Sequence, residues 1–383
     1  MNKYKKLKRM TAGRIVLLSS LSLLFILLLW VWLFFNYYTP QVADAFDDWP
    51  GIGNWGNFET EPFERDDIYG GEHSEGVDVG DKTRVDRRIG DSYTFLIAGM
   101  DDNRLTDALM MITFNVRDSK ISILNIPRDS WISNSLYRGG RINAVYSRGF
   151  NQVRNAGGSS ADASAAGIAL LRQQIQITFG LPVDYYVVMT LRGFRELVDA
   201  VGGVEMYVPR DMYYSDPYQN LHINLKRGLQ TLDGIRAEHL VRFRRGYADQ
   251  DIGRIATQQR FIAALARQMM VFDVAQISRI FDVAQRHVTT NISAADMAWF
   301  AARALNVRLE DIITHIVPGE SARVGEASVW SVYRAETIQI INAHYNPFLT
   351  EIPDSNFNIF EISRRNAAHA NISGVTMDQL LGN

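Results

Sequence analysis

From Ile15 to Phe35, 21 consecutive residues carry no charge, and only Ser19, Ser20 and Ser22 break the apolar run. As a helix such a stretch is roughly 30 Å long, the thickness of a bilayer's hydrocarbon layer. Lys3, Lys5, Lys6, Lys8, Arg9 and Arg14 precede it with no acid among them, and Trp30, Trp32, Tyr37 and Tyr38 lie toward its far end. The positive-inside bias then predicts a cytoplasmic tail over 1–14, a single transmembrane helix over 15–36 and an extracytoplasmic remainder. A cleaved signal peptide is the alternative, because Ala43-Asp44-Ala45 has the small-x-small form. The apolar run exceeds the usual h-region of about 7–15 residues, which favours the anchor. With no cysteine in the chain, an exported domain would not rely on disulfides.

The net charge of −2 hides an uneven distribution. Residues 37–91 hold 14 acids and 5 bases and are interrupted by Gly51-Ile-Gly-Asn-Trp-Gly56 and Gly70-Gly71, so they read as a solvated, self-repelling linker. From Ser92 onward 29 bases face 28 acids, and the basic excess of a nucleic-acid binder is missing. Gly51, Gly53 and Gly56 match the dinucleotide fingerprint literally, but Pro50 precedes them and an acidic stretch follows, where the fingerprint needs a strand and a helix. Seven scattered histidines without cysteine make a zinc centre unattractive.

The pattern after Ser92 alternates strands with helices. Strands are expected at Tyr93–Ala98, Leu109–Val116 and Lys120–Ile126, the last two joined by a turn at Arg117–Lys120. A helix capped by Ser159 or Ser160 runs to Phe179, where Gly180 and Pro182 stop it. A strand over Asp184–Thr190, a helix over Leu191–Ala200 and a strand over Gly203–Val208 follow. Helices are then expected over Asp251–Met270, Val274–His287 and Ser293–Leu305. This order predicts an α/β fold, a layered α/β/α domain on a central mixed sheet over 92–350. The segment 351–383 has no assignable pattern.

Charged blocks recur at the ends of these elements. Asp101 and Asp107 bracket the loop between the first two strands, and carboxylates held that close suit a hard cation that also takes phosphate oxygens. Arg128 and Asp129 follow Pro127 directly after a strand. Arg242 and Arg244 share one face if that stretch is extended. Asp251, Arg254 and Gln258 share a face of a helix, with Asp251 in its first turn. Any one arginine alone reads as a surface ion pair contributing about 0–1 kcal/mol. Convergence of several on one sheet edge would point to phosphate chemistry.

Six blocks together resemble the LytR-CpsA-Psr family: Leu96-Ile-Ala-Gly-Met-Asp101, Ile126-Pro-Arg-Asp129, Arg141-Ile-Asn-Ala-Val-Tyr146, Val201-Gly-Gly-Val-Glu205, Arg242-Phe-Arg244, and Asp251-Ile-Gly-Arg254 with Gln258-Gln259. The resemblance runs from about Ser92 to Pro318. It implies a magnesium-dependent membrane enzyme that moves a glycopolymer from a polyprenyl (pyro)phosphate carrier to a peptidoglycan hydroxyl, with no nucleic-acid partner. Carried over by motif, Asp101 and Asp107 would be metal-associated. Arg128, Arg242, Arg244 and Arg254, with Gln258, would grip the pyrophosphate, and Arg104 and Arg141 would be further contacts. Asp251 would activate the acceptor hydroxyl, with Arg128 and Arg244 as its catalytic companions. The sequence departs from the family in a shorter Asp101–Asp107 loop and in Arg141, where lysine is frequent. A polyprenyl pyrophosphate phosphohydrolase and a non-catalytic lipid-phosphate binding module are the alternatives. A transcription regulator is disfavoured, since a tail of about 14 residues cannot hold a helix-turn-helix.

Overall fold

The computed structural model describes residues 38–40, 92–134, 137, 139–217, 221–247, 251–270 and 274–382. The expected membrane helix, the basic tail, most of the acidic linker and the Gly51 motif lie outside them. Among the described residues, no helix is long and apolar enough to cross a membrane.

Three strands open the fold as an antiparallel meander: β1 (Ser92–Met100), β2 (Thr106–Asn115) and β3 (Lys120–Asn125). Two short strands, β4 (Trp131–Ile132) and β5 (Gly140–Arg141), pair with each other before helices α1 (Val145–Asn155) and α2 (Ser160–Phe179). Then come β6 (Tyr185–Thr190), α3 (Leu191–Ala200), β7 (Val204–Val208), β8 (Met212–Asp216), β9 (Leu221–Leu225), β10 (Gly228–Leu232) and α4 (Gly234–Arg242). Helices α5 (Asp251–Met269) and α6 (Val274–His287), strand β11 (Val288–Thr290) and helix α7 (Ala294–Ala304) lead to β12 (Ile312–Ile316). The chain closes with β13 (Gly319–Val324), β14 (Ala327–Val332), α8 (Arg334–His344), β15 (Val375–Thr376) and α9 (Met377–Leu381).

Seven strands form the central sheet in the order β11-β6-β1-β2-β3-β12-β15. Pairs β1·β6 and β3·β12 are parallel and the other neighbours antiparallel, so the sheet is mixed, as expected. Its middle strands are buried on both faces, which is why they read as nearly continuous apolar runs. Leu96 and Ala98 on β1, Leu109 and Met111 on β2, and Leu124 on β3 face one core with α1 and α2, filled by Phe150, Leu171, Ile175 and Phe179. The alternate residues Tyr93, Phe114 and Ile123 face a second core with Trp299 and Phe300 of α7 and Ala263 of α5. Each fully buried large side chain of this kind contributes about 1.5–3 kcal/mol. Helices thus cover both sides of the sheet.

Local signals explain several boundaries. Ser159 Oγ accepts from Asp162 N at 3.1 Å to cap α2, and Gly180 ends that helix at φ 66°, a left-handed turn open to glycine. Helices α1 and α2 touch backbone to backbone; a Cβ on Gly149 would lie 2.8 Å from the Ala166 carbonyl oxygen. A third core lies between hairpins β7·β10 and β8·β9 and helices α3, α4 and α5, centred on Val204, Met206, Ile223 and Leu240. Residues after Ile352, unassigned from sequence, are built into the domain. Phe357 and Ile359 join the first core, Met377 the second, and β15 pairs with β12 at the sheet edge.

Candidate active site

Because β2 runs antiparallel to β1 and β3, the start of β2 lies at the same sheet edge as the ends of β1 and β3. Asp101 leaves β1 there, Asp107 is the second residue of β2, and Arg128 follows β3 through Pro127. Ligands of open α/β sheets sit beyond such strand ends. Helix α5 crosses over this edge and brings Arg254 and Gln258 with it.

Asp107, Arg128, Arg254 and Gln258 meet; Asp101 is held within its own loop. Arg128 Nη1 donates to Asp107 Oδ1 in a close ion pair. Arg254 is only 3% exposed, and its Nη2 donates to the Asp107 carbonyl oxygen at 3.4 Å. Asp107, Arg128, Arg254 and Gln258 line one narrow cleft, with an enclosed volume of about 10 Å³, together with Ala108, Leu109, Met110, Asn125, Ile126 and Ile255. Two guanidinium groups beside a carboxylate at its mouth suit the oxygens of an anionic group.

Buried polar contacts hold this arrangement from below. Asn125 Nδ2 donates to Thr314 Oγ1 at 2.8 Å, and Gln259 Nε2 donates to the same oxygen at 2.9 Å. Thr314 Oγ1 in turn donates to the Ile123 carbonyl at 3.2 Å. Strands β3 and β12 are thereby tied to α5, which fixes Arg254 along the edge. Sequence reasoning gave Asn125 and Thr314 no role; a polar residue inside an apolar strand run was the signal. One position further along β12, His315 shares a 2.9 Å hydrogen bond with Tyr345 Oη. Burial, then the neighbouring His344, pushes the His315 imidazole down to about 4.

The Arg128 loop is similarly pinned. Asp129 lies 3.8 Å from Arg128 Nε and 3.4 Å from Arg141 Nε, so its carboxylate links the two cations. Arg141 also donates from Nη2 to the Ser328 carbonyl at 2.9 Å. Asp101 Oδ1 accepts from Asn103 N at 2.9 Å and Leu105 N at 2.8 Å, closing the short loop on itself. Arg104, with φ 61°, projects from that loop and stacks over Phe150 at 4.3 Å.

The Arg242–Arg244 stretch differs from the extended reading. Arg242 is the last residue of α4, which Asp233 caps, and Phe243 leaves the helix at ψ 125°. Apolar Ala237 and Leu240 at helical spacing bury that face and carry the helix through Arg242. Phe243 is buried while Arg244 is exposed. Buried Glu238 pairs with Arg242 at 2.9 Å and with Arg195 at 3.2 Å, an i, i+4 contact legible only once the helix is known. Gln258 Nε2 donates to the Val241 carbonyl at 3.0 Å, so the stretch abuts the cleft. Asp251 opens α5, and its side chain lies outside the described residues.

The LytR-CpsA-Psr family's sequence profile matches residues 65–345. Among curated proteins, the chain is 30% identical over 238 residues to a probable cell wall biosynthesis protein, LcpB, of Corynebacterium glutamicum, covering 61% of this chain and 52% of that one. It is 27% identical over 236 residues to the polyisoprenyl-teichoic acid–peptidoglycan teichoic acid transferase TagV of Bacillus subtilis, covering 58% and 56%. The chain thus spans about half the length of the curated relatives it matches. The solved structure of Bacillus subtilis TagV superposes with a TM-score of 0.55 at 22% identity, over 67% of this chain and 99% of that one, and shares its fold.

Proposed function

Because the chain belongs to the LytR-CpsA-Psr family, we propose that it is a membrane-anchored phosphotransferase that moves a glycopolymer from a polyprenyl (pyro)phosphate carrier to a hydroxyl of peptidoglycan. The observation that carries this reading is the convergence of Arg128 and Arg254 on Asp107 at the sheet edge, inside one partly apolar cleft. The printed name of TagV, a polyisoprenyl-teichoic acid–peptidoglycan transferase, supports the same donor and acceptor classes. The apolar run Ile15–Phe35 supports an anchor that leaves the domain outside the membrane, facing the wall.

In the reaction, the acceptor oxygen attacks the phosphorus nearer the glycan, a new P–O bond forms there, and the bond to the bridging oxygen breaks. Prenyl phosphate leaves with the bond's electron pair. Such transfers depend mainly on positioning and charge neutralisation. Arg128 and Arg254, already in place, hold the diphosphate oxygens and balance charge on the leaving group. Arg244 and Arg242, beside the cleft, close on the same phosphates, and Gln258 keeps their segment against it. By family likeness, Asp251 at the start of α5 takes the hydroxyl proton. By family likeness Asp101 and Asp107 would hold magnesium: Oδ1 of Asp101 already accepts from Asn103 N and Leu105 N and Oδ1 of Asp107 from Arg128, so the second oxygen of each carboxylate would serve the ion, which prefers one or two such groups with phosphate and water. When bound, the ion would neutralise diphosphate charge.

A transfer assay on the full chain in proteoliposomes, with polyprenyl-linked glycan as donor and peptidoglycan as acceptor, tests this. Arg128→Ala is expected to lose on the order of 10²-fold in rate, as for other removed transition-state donors. Asp101→Asn should shift the magnesium titration to higher concentration. Near-normal turnover by Arg128→Ala would remove the reading, and release of free glycan phosphate in place of wall-linked glycan would make the protein a hydrolase.

A further inference from the structure

The outward face of the hairpins beside the cleft carries side chains that the transfer reaction leaves unused. Tyr207 on β7 and Leu229 on β10 are cross-strand partners, 49% and 66% exposed. Tyr213 on β8 is equally open. The bend between β9 and β10 joins them. Lys226 Nζ lies 4.6 Å from the centre of the Tyr213 ring, and Arg227 Nε donates to Tyr207 Oη at 2.9 Å. Arg210, after β7, donates to the Gly246 carbonyl and lies 5.6 Å from the Tyr247 ring. Gly246 is two residues beyond Arg244, and Tyr247 Oη shares a 2.8 Å hydrogen bond with Thr257 Oγ1 one turn beyond Arg254 on α5, so Arg210 links this face to the helix start that carries Arg254.

The remaining exposed positions on these strands are polar, Glu205, Ser215, His222, Asn224 and Thr231, with Ser215 Oγ and His222 Nδ1 sharing a 2.9 Å hydrogen bond. Open rings suit the C–H faces of sugars, the cations suit anionic substituents, and the short polar side chains suit hydroxyls. A bilayer surface would ask for a broader apolar patch than one leucine and two tyrosines. The acids nearby do not cancel the charge. At the bend Lys226, Arg227 and Arg210 stand beside one acid, Asp211, which accepts from Arg227 N and Lys226 Nζ and is held low by the first of these bonds and then by the Lys226 and Arg227 charges, while Asp216 ends β8 and Glu205 sits opposite Thr231 at the far end of β7.

We propose that this face is a subsite for the anionic glycan of the donor, holding sugars that lie beyond the diphosphate. The proposal rests on the transferase reading above and adds where the polymer runs. Its test uses the full chain in nanodiscs and four probes: a phosphomannan oligosaccharide, the unphosphorylated mannan oligosaccharide of equal length, farnesyl diphosphate, and anionic phospholipid vesicles. Calorimetric titration should show the phosphorylated glycan binding and the neutral one binding far more weakly. The double variant Lys226→Glu/Arg227→Glu should lose about tenfold for phosphomannan, since each exposed cation–anion contact is worth a factor of a few. Tyr207→Ala should lose a smaller factor, and both variants should bind farnesyl diphosphate as the unmodified chain does. Equal phosphomannan affinity before and after the double substitution overturns the subsite, as does binding of anionic vesicles by this face with no competition from phosphomannan. Farnesyl diphosphate bound without phosphomannan overturns the subsite alone. Phosphomannan bound without farnesyl diphosphate overturns the donor reading and leaves the glycan face standing.

Discussion

Arg254 and Arg244 belong to one sequence neighbourhood but to two kinds of environment. Arg254, on the first turn of α5, is buried and held at the Asp107 carbonyl, whereas Arg244 is exposed on the turn after α4. Arg128 sides with Arg254, locked to Asp107 and linked through Asp129 to Arg141. Charges fixed before a ligand arrives need no reorganisation during reaction. Exposed ones give up rotamer freedom when they engage, but they can follow a bulky substrate in. The site therefore has a rigid floor and an adaptable rim.

The largest effects should separate the two. Arg254→Ala is expected to lower transfer about 10²-fold and also to destabilise the domain by about 1–3 kcal/mol, since buried polar partners are left behind. Arg244→Ala should slow transfer to a similar degree yet leave thermal unfolding where it was. Calorimetry on both variants decides it, and a matching loss of stability in Arg244→Ala would erase the distinction between floor and rim.

Next comes the support beneath the floor. Gln259→Leu removes one donor from Thr314 and should cost about 1–3 kcal/mol. Melting should fall by roughly 2–4 °C per kcal/mol for a domain of this size. If the melting temperature holds while activity falls, Gln259 acts on substrate and does not serve as a brace.

Acidity should then weaken the domain through His315. Its folded value near 4 lies below the ordinary histidine value of 6.5, so the unfolded chain binds the proton more readily. Stability is full above about 6.5 and is lost as pH falls toward 4. Unfolding free energies from urea titrations at pH 7 and 5 should differ by about 1–2 kcal/mol, and His315→Gln should flatten that slope. The smallest effect belongs to the rim. Arg104→Ala removes an exposed contact with Phe150 and should change stability by no more than about 0.5–1 kcal/mol; a larger drop would make that loop part of the floor.

The central strands and α2, α3 and α7 were legible because their signals are local. Two-sided burial gave β1 to β3 unbroken apolar runs, and Ser159, Ser293 and Gly180 mark helix ends through their own side chains or φ. Strand β7 was expected over Gly203–Val208, but its partner β10 and the β8·β9 hairpin were less legible. Their inward residues, such as Met212 and Ile223, gain meaning only from the α4 and α5 faces that cover them. The segment after Ile352 takes its shape from the core it reaches, although Thr376 and Gln379 do form a capping box that the sequence carries in plain form. At the site, charged blocks marked which residues matter, but not their partners. That Arg128 pairs with Asp107, or Gln258 with the Val241 carbonyl, depends on how α5 crosses the sheet edge.

Titration of farnesyl diphosphate into the full chain, compared with Arg128→Ala, tests the shared anion site most directly. Saturable binding is expected, weakening at least about tenfold without the Arg128 guanidinium, in line with loss of a charge-assisted hydrogen bond worth about 1.5–3 kcal/mol. Undiminished binding by Arg128→Ala would contradict it.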